Sequence, residues 1–237
     1  MAVVRVHYVG IDVNVQIVSA TRSTPSDFQS ATALGRSLER LAHDGRMKVL
    51  IATSNSRGLP LVYNEMLDRA SDDSVVVFMH DDIWIDDYYL IQRVLEGLEQ
   101  FDVIGIAGNR RRVAHQPAWH YINMEFQWDA PENLSGLISH GPQPGGKVQY
   151  YGAAPAACEL LDGAFLAAKK NTLVKHNVRF DPRFDFHFYD MDFCRTARQS
   201  GLRLGTWPIC MTHQGAGIFG TPEWRRSHQT YLTKWGS

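Results

Sequence analysis

The chain has 237 residues, of which 44% are hydrophobic and 21% charged, and its formal net charge at pH 7 is -1. This length suits one large domain or two small ones, and the near-neutral charge argues against a general nucleic-acid-binding protein. The three cysteines, Cys158, Cys194 and Cys210, lack the spacing of a zinc knuckle or a disulfide framework. Free thiols favour a cytoplasmic protein, and no transmembrane segment is expected.

The first half of the chain alternates strand-like and helix-like patterns. Apolar runs predict strands at residues 15–20, 48–53, 75–79 and 101–107. Helical spacing predicts three helices, one containing Leu34, Leu38 and Leu41 and two more at residues 59–70 and 86–100. Repeated strand–helix units of this length predict a three-layer α/β/α architecture around a mostly parallel sheet.

The second half of the chain departs from this alternation. Residues 113–150 are rich in proline, glycine, histidine and aromatic residues, which predicts an irregular insert with short strands. Ordered elements are predicted beyond it as a strand at 159–168 interrupted by Gly163, a helix at 190–201, a strand at 206–211 and a terminal helix at 222–235. Because no linker or repeat is visible, residues 1–237 are expected to form a single domain.

A polar cluster follows the apolar run at residues 75–79. His80, Asp81 and Asp82 come directly after it, and an apolar stretch resumes behind them. Ligands bind at the carboxyl ends of strands in open α/β sheets, and two adjacent carboxylates are costly unless a cation or hydrogen bonds compensate them. The cluster therefore predicts a divalent-metal site. For a single aspartate, capping of the next turn is the alternative.

Two further clusters carry candidate chemistry. Asp190 and Asp192 bracket the start of the predicted helix at 190–201, where a carboxylate suits either a helix cap or a general base. Asp192 pairs with Arg195 at helical spacing, which favours a structural role, so Asp190, one step outside the helix, is the better catalytic candidate. His213 ends an apolar strand before a glycine-rich turn, and together with the first cluster it is a candidate imidazole ligand.

In this order and spacing, the three clusters resemble those of glycosyltransferases of the GT-A fold, of family 2 or its family 2-like relatives. The resemblance covers most of the chain and implies a GT-A architecture. It implies metal ligation by His80, Asp82 and His213, with His80 in place of the commoner Asp, and a general-base role for Asp190. The positions implied to bind the nucleotide-sugar and line its pocket are Ala20, Thr21, Arg22, Asn55, Asp81, Asp162 and Gly163.

The resemblance implies an activity as well. A divalent metal, Mn²⁺ or Mg²⁺, would hold a nucleotide-diphospho-sugar donor, and a saccharide or other hydroxyl acceptor would attack with inversion. Residues 1–112 would form the nucleotide-binding half and residues 113–237 the acceptor-binding half. Arg225 and Arg226 are either a clamp on the diphosphate or solvated surface. Some aromatic side chains of the insert are candidates for stacking on a sugar or base, namely Trp119, His120, Trp128 and Tyr150.

Two alternatives belong to other classes. His80, Asp82 and His213 also match the two-histidine, one-carboxylate triad of non-haem Fe(II) oxygenases, although that chemistry is expected on an all-β jelly roll. A non-catalytic nucleotide-sugar-binding module is the other alternative, because a tyrosine, Tyr189, stands where the family commonly has a Glu beside the base.

Overall fold

A central sheet and a second, smaller sheet organise the chain in the computed structural model, which describes residues 13–215 and 217–236. The strands are β1 Val15–Ala20, β2 Met47–Ala52, β3 Val75–Met79, β4 Ile83–Ile85, β5 Val103–Gly105, β6 Ala107–Asn109, β7 Leu134–His140, β8 Lys147–Gly152, β9 Ala156–Cys158, β10 Leu160–Leu161, β11 Phe165–Lys169, β12 Leu204–Thr206 and β13 Met211–His213. The helices are α1 Pro25–Ala31, α2 Ala33–Arg40, α3 Leu59–Arg69, α4 Leu90–Gln100, α5 Lys170–Lys175, α6 Tyr189–Gln199 and α7 Pro222–Trp235, with a 3₁₀ turn at Pro131–Asn133.

The central sheet has seven strands in the order β2-β1-β3-β11-β5-β12-β9. The pairs β1–β2, β1–β3 and β5–β12 are parallel. Strand β11 runs antiparallel to both β3 and β5, and β9 runs antiparallel to β12. All residues of β3 are buried, as a strand in the middle of a covered sheet requires. The fold is therefore mixed α/β. Five of the seven strands of the central sheet run in one direction, as the strand–helix alternation predicts, and the reversed strands β11 and β9 make three of its six pairings antiparallel.

The second sheet brings distant segments to the carboxyl end of β3. Its strand order is β10-β6-β7-β13-β4, with β8 paired to β7. Strand β4 begins directly after the polar cluster, three residues beyond the end of β3, and pairs antiparallel with β13, so that Ile83 lies opposite His213. This pairing places the end of β13 beside the cluster that follows β3.

Several predicted elements match the structure closely. Strands β1 and β3 and helix α7 have the predicted bounds. Helix α3 starts at Leu59 with a proline in its first turn, where the missing backbone N–H costs nothing. Helix α6 ends just before Gly201, whose φ of +82° suits a glycine after a helix.

Other predictions of secondary structure were wrong. Helix α4 begins at Leu90 rather than at residue 86, because Asp86 and Asp87 donate their backbone N–H groups to the carbonyl of Cys210. The apolar run at 101–107 and the one at 206–211 each divide between the two sheets. Within the insert at 113–150, the predicted short strands are present as β7 and β8, which form an antiparallel pair. The bounds of these strands and the sheet that each joins depend on the strands with which they pair, and the local sequence does not contain that information.

Candidate active site

Three side chains from three strand ends form a possible metal-binding group. His80 follows β3, Asp82 precedes β4 and His213 ends β13, and one ligand atom from each lies within 4.8 Å of the others. His213 Nε2 is 3.2 Å from Asp82 Oδ2, and His80 Nδ1 is 4.0 Å from Asp82 Oδ1. The structure thus brings together the three residues that the sequence predicts as metal ligands.

The chemistry of this group fits a divalent cation. Asp82 Oδ1 is buried and has no hydrogen-bond partner among the described residues, and a buried carboxylate oxygen left unpaired is costly. Two imidazoles and a carboxylate are a common donor set for divalent transition metals. The absence of a side chain at Gly215 leaves space beside these ligand atoms, because a Cβ there would lie 2.8 Å from Asp82 Oδ2 and 3.1 Å from His213 Nε2.

The charges of the group are mutually dependent. Burial opposes ionisation of Asp82, but the hydrogen bond from His213 and the nearby imidazoles outweigh it and hold the pKa of this carboxyl below its usual range. Burial likewise opposes protonation of His213, yet the contact with Asp82 raises the pKa of this histidine. For His80 burial dominates and lowers the pKa. Asp82 is therefore the charged ligand candidate at neutral pH.

Asp190 is half-buried in the wall of the same cavity as this group. It is the second residue of α6, so the prediction that it lies one step outside the helix was wrong. Its Oδ2 accepts a hydrogen bond of 3.1 Å from the backbone N–H of Gly163. Burial, together with the negative charge of Asp162, raises the pKa of Asp190 to about 7. A carboxyl with that pKa can accept a proton near neutral pH.

The Asp162–Gly163 segment holds this wall in place. Asp162 Oδ2 accepts a hydrogen bond of 2.7 Å from the indole Nε1 of Trp119, and its Oδ1 accepts one of 2.8 Å from the N–H of Ala164. A Cβ on Gly163 would lie 2.6 Å from the Tyr189 hydroxyl and 2.7 Å from Asp190 Cβ. Only glycine allows the start of α6 to approach this closely.

These residues face a cavity of about 510 Å³ that is lined largely by aromatic rings and imidazoles. Its carboxylates are those of Asp82, Asp162 and Asp190. Among residues 13–215 and 217–236, no lysine or arginine lines it. The aromatic and histidine lining residues are His80, Trp119, His120, Tyr121, Trp128, His140, Tyr151, Phe186, His187, Phe188, Tyr189, His213, Phe219 and Trp224.

The predicted nucleotide-sugar residues near the amino terminus lie outside the lining of this cavity, at the ends of neighbouring strands. Ala20 ends β1, and Asn55 donates its backbone N–H to the carbonyl of Thr21. Thr21 is buried and Arg22 is exposed. Because β1 lies between β2 and β3 and parallel to both, their carboxyl ends share one edge of the sheet. The backbone carbonyl of Asp81 accepts from the N–H of Leu34, which joins this edge to α2.

Several polar and aromatic residues have other roles than the sequence suggests. Asp192 bonds Lys234 and the Trp235 indole, not Arg195 as expected, because α7 packs against α6. Arg226 pairs with Glu223 on the exposed side of α7. Tyr150 is 66% exposed and does not line the cavity.

Sequence reasoning missed part of the aromatic wall. Phe186, His187 and Phe188 precede α6, and Phe219 precedes α7. The aromatic run directly before the aspartate at 190 is the signal that pointed to them. Phe188 adopts a left-handed φ of +67° immediately before the helix, a backbone strain that often marks a functional segment.

Comparisons with known proteins identify the family and the fold of the chain. Residues 36–214 match the sequence profile of a family described as "Glycosyltransferase like family". The architecture is the GT-A fold of nucleotide-diphospho-sugar transferases, and the chain belongs to this glycosyltransferase-like family. No curated protein sequence matches the chain. The α/β fold does not match the all-β jelly roll that is expected for the non-haem iron oxygenase alternative.

Three solved structures resemble the chain over 94% of its length. They are TarS of S. aureus (11% identity, TM-score 0.51), GalNAc-T7 with UDP, GalNAc and Mn²⁺ (11%, 0.53), and the mannosyltransferase PcManGT from Pyrobaculum calidifontis with GDP-Man and Mn²⁺ (12%, 0.52). The chain spans 39%, 48% and 65% of their respective lengths. At such identities the likeness shows the fold alone. Within the described residues, no helix combines the length and apolarity needed to cross a bilayer.

Proposed function

We propose that the protein transfers a sugar from a nucleotide-diphospho-sugar to an acceptor hydroxyl, with inversion and with Asp190 as the general base. The observation that carries this proposal is the half-buried Asp190 carboxyl, whose pKa is raised to about 7 and which shares one cavity with His80, Asp82 and His213. A base works best when its pKa lies near the operating pH. Membership of the glycosyltransferase-like family supports the same chemistry.

Gly163 and Asp162, in the cavity wall, prepare Asp190 to remove the proton of the acceptor hydroxyl. The Gly163 N–H donates to Oδ2 and so orients the carboxylate, while partial desolvation and the charge of Asp162 raise the pKa of Asp190. As the acceptor oxygen attacks the anomeric carbon, its proton moves to Asp190. The bond between the sugar and the diphosphate breaks, and its electron pair leaves with the diphosphate. Attack from the face opposite the leaving group inverts the anomeric centre.

His80, Asp82 and His213 would hold the divalent metal, Mn²⁺ or Mg²⁺. When bound, the ion supplies positive charge that stabilises the leaving diphosphate. This proposal is supported by the unpaired, buried Oδ1 of Asp82. The Mn²⁺ complexes of GalNAc-T7 and PcManGT, which share the fold, also support it.

We place the donor on the side of residues 1–112 and the acceptor on the side of residues 113–237. The carboxyl ends of β1, β2 and β3 carry the candidate nucleotide-sugar positions at 20–22, 55 and 81. The tyrosine, tryptophan and phenylalanine rings that line the cavity all come from residues after 113. Aromatic faces stack on the apolar faces of sugar rings, so the second half offers the better acceptor surface.

The lining of the cavity also restricts the charge of the acceptor. Apart from Asp82, which belongs to the metal-binding group, its carboxylates are those of Asp162 and Asp190, with no lysine or arginine among the described lining residues. An anionic acceptor would meet like charges without a cationic side chain to compensate them. We therefore propose a neutral hydroxyl-bearing acceptor, with a saccharide as the favoured class.

The substitution Asp190→Asn tests the base assignment. It keeps the size of the side chain but removes the proton acceptor, so we expect the transfer rate to fall by about 10²–10⁴-fold. Donor binding, measured as a shift in melting temperature, should be unchanged. The matched control is Glu223→Gln on the exposed face of α7, which should transfer at the wild-type rate. A wild-type rate for Asp190→Asn would remove Asp190 from this role.

The donor class can be identified from thermal shifts with nucleoside diphosphates. A ligand that binds only the folded state raises the melting temperature by mass action. UDP, GDP and dTDP, together with CMP, should each be tested with and without Mn²⁺. We expect one nucleotide to give a shift that requires the ion and that disappears in Asp82→Asn. A shift without turnover of any sugar donor would favour the non-catalytic binding module instead.

A further inference from the structure

A tyrosine hydroxyl links His80 to the backbone at Gly163. The Tyr189 hydroxyl donates a hydrogen bond of 2.7 Å to the carbonyl oxygen of Gly163. The same hydroxyl oxygen lies 2.8 Å from His80 Nε2. A carbonyl oxygen can only accept, so the single proton of the hydroxyl is committed to Gly163. The hydroxyl oxygen must therefore accept from His80, which places the imidazole proton on Nε2.

The position of this proton determines whether Nδ1, the other nitrogen of the His80 ring, can bind a metal ion. A neutral imidazole carries one N–H, so Nδ1 has a free lone pair. That atom faces Asp82 Oδ1 at 4.0 Å, and Oδ1 is itself buried and without a partner in the described part of the chain. Two acceptors that face each other with no proton between them are best satisfied by a cation bound to both.

The Tyr189 ring is well placed to hold this arrangement. It is buried, and its centroid lies 6.0 Å from the ring centroids of both Tyr63 and Phe180. A Cβ on Gly163 would lie 2.6 Å from the Tyr189 hydroxyl, so a side chain there would displace it. The hydroxyl is therefore held in position from the ring side and from the backbone side.

We propose that Tyr189 is a positioning residue that keeps the proton of His80 on Nε2 and so makes Nδ1 a metal-ligating atom. The inference rests on the metal site of the proposed function. It assigns a purpose to the tyrosine that stands beside Asp190. It also implies a nitrogen-rich donor set, which favours Mn²⁺ over Mg²⁺ because Mg²⁺ prefers oxygen ligands.

The test is a titration of the protein with Mn²⁺ alone, by isothermal calorimetry or by the electron paramagnetic resonance of the free ion. Removing a hydrogen-bond partner of a ligating histidine commonly weakens metal binding by about 10–100-fold. We expect that loss for Tyr189→Phe. The matched control is Tyr231→Phe, because Tyr231 is also buried but its hydroxyl accepts from Arg195 and it does not line the cavity. The control should bind Mn²⁺ like the wild type.

A second measurement reads the tautomer directly and does not need the variant to fold. In ¹⁵N-edited NMR of the metal-free wild type, His80 should show its proton on Nε2. A proton on Nδ1 would overturn the inference, as would an unchanged Mn²⁺ affinity in Tyr189→Phe or equal affinities of the wild type for Mn²⁺ and Mg²⁺. A wild type that binds neither ion would contradict the metal site of the proposed function itself.

Discussion

Two aspartates that are two positions apart on α6 have opposite surroundings. Asp190 faces the cavity and the carboxylate of Asp162, whereas Asp192 is fully buried against Lys234 and Trp235. From the sequence, a helix cap and a general base are equally good interpretations of Asp190. The partial burial of this carboxyl and the neighbouring charge of Asp162 favour the base, because they raise its pKa to about 7.

The pKa of Asp190 predicts a pH dependence. A general base must be deprotonated, so the transfer rate should rise as pH increases through about 7, where Asp190 loses its proton. The measurement is kcat/KM for the donor between pH 5 and pH 9 at saturating acceptor. In Asp190→Asn the residual rate should lose this rise. A wild-type rate that already reaches its plateau at pH 5 would contradict the assignment.

Helix α7 shows what can and cannot be predicted for one element. Its bounds follow from local signals, since the Thr221 side chain accepts from the N–H of Trp224 and Pro222 occupies the first turn. The residues that α7 contacts do not follow from local signals. Lys234 bonds Asp192 at 2.7 Å and also Asp181 at 2.7 Å, and these residues lie too far away in the chain for helical spacing to indicate them.

The contact between α7 and α6 predicts that the protein loses stability when Lys234 is replaced. In Lys234→Met the buried Asp192 carboxylate would lose its cation but keep the Trp235 indole hydrogen bond. We expect a decrease of about 2 kcal/mol in the free energy of unfolding, below the ~3–5 kcal/mol typical of breaking a fully buried ion pair. Urea denaturation at pH 7 measures it. The control is Lys175→Met on the exposed surface of α5, and equal stability of the two variants would show that the pair contributes little.

Strands β7 and β8 show why the position of a strand within the insert could not be predicted. Residues 134–140 contain serine, glycine and histidine, so their own propensity for a strand is low. The register of β7 against β6, β8 and β13 nevertheless satisfies its backbone groups. This information lies in three other segments of the chain, which a scan along the sequence does not combine.

At the scale of the whole molecule, the site depends on how the two sheets meet. Strand β13 ends with His213 beside Asp82 only because it pairs with β4. The aromatic wall is assembled from the insert, the start of α6 and the segment before α7. The lining carboxylates Asp82, Asp162 and Asp190 also come from three separate segments. The charge of the cavity therefore depends on the tertiary structure and not on any single motif.

This charge predicts a preference between acceptors. Two like charges about 8 Å apart repel by about 2 kcal/mol at an effective dielectric constant of about 20, which corresponds to more than tenfold in rate. We expect kcat/KM for a neutral saccharide acceptor to exceed that for the matching uronic acid by at least about tenfold. The difference should shrink as salt is added, because salt screens such repulsion. Equal use of the two acceptors would contradict a neutral-acceptor site.

Hydrophobic periodicity and short motifs are local properties, so the α/β architecture, the family resemblance and the polar cluster after β3 could be predicted from the sequence. The contacts between individual atoms could not. His213 Nε2 lies 3.2 Å from Asp82 Oδ2, and Tyr189 touches His80 across 109 positions of sequence. Such contacts depend on strand order, register and helix packing, which set distances between residues that no local pattern connects.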